Sequence, residues 1–588
     1  MRHAILLLTL AICLSLPANA KIYTVTNTSD SGAGSLRSAL GYAANGDKIK
    51  FSVTGVITLT SAQLEIVTNV TIAGPGAAKL AISGNGQFTV FQVDSGVTAA
   101  TISDVTIEDG YTSSGDGGGI NNQGTLTLRH SILSGNTENA IGGNGGGINN
   151  QGRLTLSYST LTGNGANGDG GAGGAVYNSG TLTVSHSTLS NNSSSGQGGG
   201  VYNSSLLAVS YSTVSDNGTL LPGAYGGGIY NSGTLIVSDS TVSGNGSHDG
   251  GSGTGIYNGG ILTVTNSTLS DNVGFFTEGA GIFNAVNSTA TVSNSTLSSN
   301  FADGDSGGAI FNEGTLAVIN STFLGNAASD DSAGGAIANY GTLNLSDSTF
   351  SGNSATGGGK GGAIYSVGTL MIKNTLLAGQ TSGGNCGGSG SSLGYNLSDD
   401  STCSFLTQIG DQNESTTAGL SPSGLKNDGG RTQTIALLPT SSAVDAIPSS
   451  ACTDALGNPV STDQRGVARA QGSGCDIGAY ELVPFVSQTN LDFGKVALGQ
   501  TKTRFVTLTN HGETELTVGT ISFTSVSGNP FDFIFQNNCG PELLPGNHCT
   551  VGVNFSPSKE TKEAAVLNIV TSAPGSALQV PIVGFGIP

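Results

Sequence analysis

The stretch GGGIYNSGTLIVSDSTVSGN, Gly226–Asn245, decides the fold, because the same sentence recurs ten times between about Gly117 and Gln380. GGGINNQGTLTLRHSILSGN begins at Gly117, GGAIFNEGTLAVINSTFLGN at Gly307 and GGAIANYGTLNLSDSTFSGN at Gly334. The closing Asn falls at Asn136, Asn164, Asn192, Asn217, Asn245, Asn272, Asn300, Asn326 and Asn353, a step of about 27 residues, which is the period of a solenoid. Within Gly226–Asn245, Leu235 and Val237 alternate with Thr234 and Ile236, Val242 sits in a second short run after Ser238 and Asp239, and the Gly-Ile-aromatic-Asn segment is a third. Such short β-prone runs broken by Gly, Asn and Ser are strands and corners, not helix. Each of about three strands per period must pair with its counterpart one period on, so the expected fold is a parallel β-helix. At ~4.8 Å between paired strands, ten coils give a rod of about 50 Å, lengthened by degenerate coils before Gly117.

Composition agrees. The 95 glycines are explained by recurrent tight corners, and the periodic apolar pattern argues against a disordered linker. A formal net charge of −19, without a basic patch, excludes nucleic acid as a partner. Residues 1–20 read as a secretory signal: Arg2 and His3, an apolar run from Ala4 to Leu16, then Ala18-Asn19-Ala20 as an A-x-A cleavage site. A lipoprotein signal would need a small residue before Cys13, where Ile12 stands. No later run approaches the ~20 apolar residues of a transmembrane helix. The expected location is therefore secreted, periplasmic or at the cell surface.

The six cysteines after the leader lie outside the regular repeats, and an even count in an exported chain suggests disulfides. Fifteen pairings are open to them; their local grouping favours Cys386–Cys403, Cys452–Cys475 and Cys539–Cys549. Zinc, the rival use, would show a CxxC pair or a Cys/His cluster, and neither is present.

In chain order, residues 21–56 form an N-terminal cap: a strand at Ile22–Val25, then a short helix with Ser35 as N-cap, Leu36, Ala39 and Leu40 on one face, and Gly46 as its stop. The β-helix occupies 57–384, a terminal coil and cap 385–482, and a sandwich-like block of alternating strands 483–588.

Five resemblances accompany this reading. GAGSLRSAL, in the N-terminal cap, resembles the start of many secreted bacterial β-helix proteins, where a Ser-Leu-Arg helix precedes the first coil. The irregular leading coils and the repeat resemble the pectate-lyase-like superfamily, whose known members coil right-handed. GGAI at Gly307, Gly334 and Gly361, with Phe323-Leu-Gly-Asn326 and Phe350-Ser-Gly-Asn353, resembles the GGA-I and F-x-x-N repeats of polymorphic outer-membrane proteins, a family of surface adhesins. LGYNL, NDGGRTQT, AVDAI, DQRG and CDIGAYE, in that order, resemble the choice-of-anchor Q domain, and the block after Val483 resembles the choice-of-anchor D family, an immunoglobulin-like module related to abnormal-spindle and Hydin domains. These imply an exported, right-handed β-helix protein with an immunoglobulin-like C-terminal module, and the choice-of-anchor families are defined without an activity.

Repeats align side chains into columns. Tyr177, Tyr202, Tyr230, Tyr257, Phe283 and Phe311 follow the inward Ile or Val of successive coils and, by strand alternation, face outward. They are the candidate binding stripe for sugar rings or an apolar partner, with register-keeping by ring stacking as the alternative. The next column, Asn122 to Asn339, is expected to be a structural amide ladder. A corner column runs His130, Tyr158, His186, Tyr211, Asp239, Asn266, Asn294, Asn320 and Asp347; it reads as a tolerant exposed corner, with a sugar platform over its rings as the sharper alternative. Acids in the variable inserts, Glu138, Asp169, Asp249, Glu278, Asp303, Asp305, Asp330 and Asp331, could hold calcium, but their irregular spacing favours solvation and no cofactor is expected.

A pectate-type lyase needs a basic residue beside carboxylate-bound calcium, and an acidic substrate needs basic subsites. Between Tyr111 and Gln380 the basic side chains of Lys and Arg are only Arg129, Arg153, Lys360 and Lys373, and no hydrolase-type cluster of Asp with His and Arg-Lys appears. The expected function is therefore non-catalytic: adhesion or binding to a glycan or another cell-surface component. A structural spacer displaying the C-terminal module, and a polysaccharide lyase or hydrolase, are the alternatives.

Overall fold

A computed structural model describes residues 20–588 apart from 114–116, 249, 305, 439, 471–473, 483–484, 487–489, 511–514, 545–546 and 572–577. The signal reading, apart from Ala20, and the acids Asp249 and Asp305 lie outside the described residues. Four parallel sheets of 15, 14, 10 and 13 strands build a β-solenoid. In one coil Thr234–Ser238 belongs to the first sheet, Thr241–Ser243 to the second, Gly246–Ser247 to the third and Ile256–Asn258 to the fourth. The two-residue strand was not expected from the sequence; Gly-Ser carries little β-propensity and is held in line by its neighbours above and below.

Successive coils pair residue for residue: Thr234 lies beside Ile261, Leu235 beside Leu262 and Val237 beside Val264. Inward Leu and Val from the first two sheets and Ile from the fourth form one continuous core, with Leu235, Val237, Val242 and Ile256 all fully buried. The coil turns at three left-handed corners. His130, Tyr158, His186, Tyr211, Asp239, Asn266 and their successors all sit at φ 47–51° between the first and second sheets. Gly135, Asn191, Asp216 and Asp271 adopt the same region before the third sheet. The corner entering the fourth sheet is glycine from Gly117 to Gly361, because a Cβ on Gly334 would stand 2.4 Å from the Ile337 carbonyl.

Polar files line the inside of three corners. Asn122, Asn150, Asn178 and the following asparagines pass Nδ2–H to Oδ1 from coil to coil at 2.7–2.8 Å, ending on the Ser366 hydroxyl. The closing asparagines from Asn136 to Asn353 form a second ladder that ends on Gln380. A third file, Ser131 to Ser348, accepts a backbone N–H from the preceding coil while each hydroxyl donates two residues back. Within the ladders the corner groups satisfy one another, the Oδ1 of the first rung, Asn122, excepted.

At the N-terminal end the helix Leu36–Tyr42 is capped by Ser35 and lays Leu36, Ala39 and Leu40 into the core. It ends on Ala43, three residues before Gly46, which instead shapes the following turn at φ 90°. At the other end Cys386–Gly388, Ser391–Ser392 and Leu397–Ser398 complete a last partial coil, and Cys403 and Leu406 close the core. Disulfides join Cys386 to Cys403, Cys452 to Cys475 and Cys539 to Cys549. The C-terminal unit has sheets of four and five strands around a core that includes Phe493, Phe533 and Phe555.

Candidate functional site

The predicted aromatic stripe exists, but its rings are turned to one another. From Tyr177 through Tyr202, Tyr230, Tyr257 and Phe283 to Phe311, neighbouring centroids are 4.7–5.4 Å apart and planes differ by at most 9°. Stacking along the axis consumes the ring faces and leaves only edges toward solvent. Phe283 and Phe311 are 6% and 4% exposed, packed with Ala338 and Tyr257, so these two are not available on the surface. Burial pushes the Tyr230 hydroxyl up to about 12, keeping it a protonated donor. This stripe can offer hydroxyl edges from its tyrosines; it cannot offer a flat platform along its length.

The corner column behaves differently along its length. His130, Tyr158, His186 and Tyr211 stack at 4.7–5.2 Å and are exposed. Asp239, Asn266 and Asn294 are intermediate, whereas Asn320 and Asp347 are 5% and 0% exposed. The reading of a uniformly exposed, tolerant corner is therefore corrected for the later coils. They are covered by the chain itself.

The cover is the segment after the last coil, which runs back along the second sheet as a strap. Thr432 donates to the Asn294 carbonyl at 3.0 Å, and Thr296 donates to the Gln433 carbonyl at 2.5 Å. Gln464 accepts from Thr322 at 2.6 Å and donates to Thr296 at 3.0 Å. Asn320 donates to the Thr462 carbonyl and accepts from Arg469, and Thr349 accepts from the Ala479 N–H. The strap's far end places Arg431 against Asp239 and 5.7 Å from the Tyr211 ring. Large rings stand where the corner is open, and small amides and carboxylates where it is covered.

Beyond the strap the second sheet stays open. Its outward positions from Thr160 to Ser270 are Thr or Ser in every coil, and all are half-buried. Around the next corner an open groove of about 700 Å³ has Gly218 and Gly246 in its floor and Asp271, His248, Val273 and Phe275 around it. Sequence reading missed both the Thr/Ser rows and the groove; the T-x-S recurrence was visible, but not that one part would be covered.

Arg129 ends one first-sheet strand and Arg153 begins the next, so they do not converge, and Lys373 is engaged by Thr453. No group of three His, Cys, Asp or Glu among the described residues is placed to hold a metal ion. Of the insert acids, Glu138 is buried, while Asp169, Asp330 and Asp331 are exposed on separate coils or loop tips.

Residues 90–269 and 144–323 match the family model for the right handed beta helix region. Residues 480–577 match that of the abnormal spindle-like microcephaly-associated, ASPM-SPD-2-Hydin domain. No curated protein matches the chain. Among solved structures it is similar to the secreted serine protease VesC from Vibrio cholerae, with 22% identity over 17% of this chain and 23% of that one, at a TM-score of 0.15. The PL6 family alginate lyase AlyGC is 13% identical over 81% of this chain and 61% of that one, at 0.34. The pectate lyase Pel9A is 13% identical over 79% of this chain and 97% of that one, at 0.27. The chain thus spans about a quarter of VesC and under two thirds of AlyGC. At these identities and scores no activity is carried across.

Proposed function

We propose that this chain is an exported, non-catalytic β-solenoid that binds a glycan or another cell-surface component along its flank. The observation that supports the reading is the open flank of the early coils, where exposed stacked rings adjoin Thr/Ser rows while the same flank farther on is sealed by the strap. A rigid, repetitive surface of hydroxyls and ring edges suits a repetitive ligand, and the scarcity of basic groups disfavours a polyanion. The absence of a transmembrane helix among the described residues and the three disulfides are compatible with export. On this reading the strap segment and the immunoglobulin-like unit, which resemble choice-of-anchor modules, serve attachment to the cell surface.

The test is a glycan array together with a soluble polysaccharide panel, read for retention and for release of reducing ends or unsaturated products. Retention without turnover is expected. Turnover of a polysaccharide would replace this reading with the lyase or hydrolase one, and neither retention nor turnover would leave the spacer.

A further inference from the structure

We infer that the open Thr/Ser rows of the second sheet, from Thr160 to Ser270, are a docking face for an extended neutral polysaccharide laid along the solenoid axis. This deepens the glycan reading above and rests on it. The chain itself shows how this face is used. In the coils of Thr296, Thr322 and Thr349 the same outward Thr position carries the strap: each hydroxyl makes a hydrogen bond to a strap amide or carbonyl, and the three residues are 2% exposed or less. Gln464 spans two coils by accepting from one Thr and donating to the next. Thr188, Thr213 and Thr241 present the same hydroxyls in the same register and remain partly exposed, the strap's Arg431 reaching only the adjoining corner at Asp239 and Tyr211.

The period selects the occupant. Successive coils advance by 4.7–5.2 Å, as the stacked corner rings record. An extended peptide advances ~3.3 Å per residue and falls out of step with such a file. The strap accordingly reaches Thr296, Thr322 and Thr349 from three separated positions, Gln433, Gln464 and Ala479. An extended pyranose chain advances by a distance comparable to one coil and brings hydroxyls, both donors and acceptors, at each step. Thr and Ser hydroxyls are matched to such groups because each can donate and accept. The open rows themselves carry no charge, and Asp216 and Asp271 stand on the border nearest the third sheet, so a neutral chain is favoured over a uronate. On the opposite border His130, Tyr158, His186 and Tyr211 supply exposed ring edges.

The experiment measures retention of the full chain on microcrystalline cellulose, chitin, an insoluble β-1,3-glucan and an anionic polyuronate gel, together with the thermal hysteresis of the free protein. Two variants are compared with it: Thr188→Val/Thr213→Val/Thr241→Val/Thr268→Val, which removes hydroxyls at nearly constant shape, and Ser215→Arg, which obstructs the face. Retention of the parent on at least one polymer, reduced tenfold or more in both variants with unchanged melting, is the expected result. Equal retention of parent and variants would overturn the docking face while leaving glycan binding intact. Retention only on anionic polymers would overturn the neutral ligand alone, and no retention on any glycan would overturn the parent reading too. Thermal hysteresis without polysaccharide retention would assign the lattice to ice and overturn this inference.

Discussion

Gln464 lies between Thr322 and Thr296, accepting from the first at 2.6 Å and donating to the second at 3.0 Å, so one side-chain amide ties two coils to the returning chain. Its residue is 2% exposed, which makes every one of these bonds a replacement for water. Gln464→Leu is expected to leave the Thr322 hydroxyl without its acceptor, while Thr296 keeps the Gln433 carbonyl, and to loosen the strap by about 1–3 kcal/mol. Limited proteolysis checks this: new cleavage should fall between residues 414 and 482 while the repeats stay intact.

The internal amide ladder predicts a larger local penalty than an exposed site would. Asn258 accepts from Asn231 and donates to Asn284, each at 2.8 Å, and is fully buried. Asn258→Ala breaks the ladder in mid-run, removing the shortest acceptor of the Asn231 Nδ2 and leaving it the carbonyls of Gly233 and Ile261 at 3.2 Å, at a cost of about 1–3 kcal/mol. Hydrogen exchange should show faster opening confined to the coils on either side, with the N-terminal coils unchanged.

Reducing the disulfides should act on the strap before the solenoid. Cys452–Cys475 closes a 23-residue separation within it, and Cys386–Cys403 fixes its departure from the last coil. Each bond is expected to contribute about 2–4 kcal/mol. Under reductant, protease sensitivity should rise first after Cys386, and circular dichroism of the solenoid should persist.

Asp347 gives the strap a pH dependence of definite sign. It is fully buried, and desolvation raises its carboxyl from 3.8 to about 6, against the opposing effects of Arg469, Asn374, Ser346 and Lys373. The folded state therefore holds its proton more tightly than the unfolded state. Stability from this group is greatest below pH ~4 and declines as pH rises toward ~6, by about 3 kcal/mol at most. Desolvation and the Glu481 charge raise the Asp476 carboxyl in the same direction. Asp347→Asn should flatten the pH profile of strap opening between pH 4 and 6, measured by proteolysis across that range.

The two aromatic columns should separate on substitution. Tyr257 stacks between Tyr230 and Phe283 and helps bury Phe283 and Phe311. Tyr257→Ala is expected to lower the melting temperature by several degrees, in line with loss of a packed ring worth about 3 kcal/mol, with glycan retention unchanged. Tyr158→Ala, on the exposed corner, is expected to leave melting nearly unchanged and to weaken retention severalfold. A loss of retention in the first variant with none in the second would place binding on the fourth sheet.

The amino-acid sequence by itself determined the solenoid, its step and the alignment of like residues, because a period of apolar residues can bury its strands only by stacking on its own copies. It also placed the buried Asn122 ladder. Exposure was decided elsewhere. Ring faces in the Tyr177–Phe311 column are hidden by the coils above and below, a consequence of a spacing near the thickness of a stacked ring pair. Asn320 and Thr322 look like their counterparts in earlier coils, yet they are sealed because a segment more than 130 residues later folds back over them. Local pattern fixes which side of a strand a residue faces; only the returning chain settles whether that side meets water.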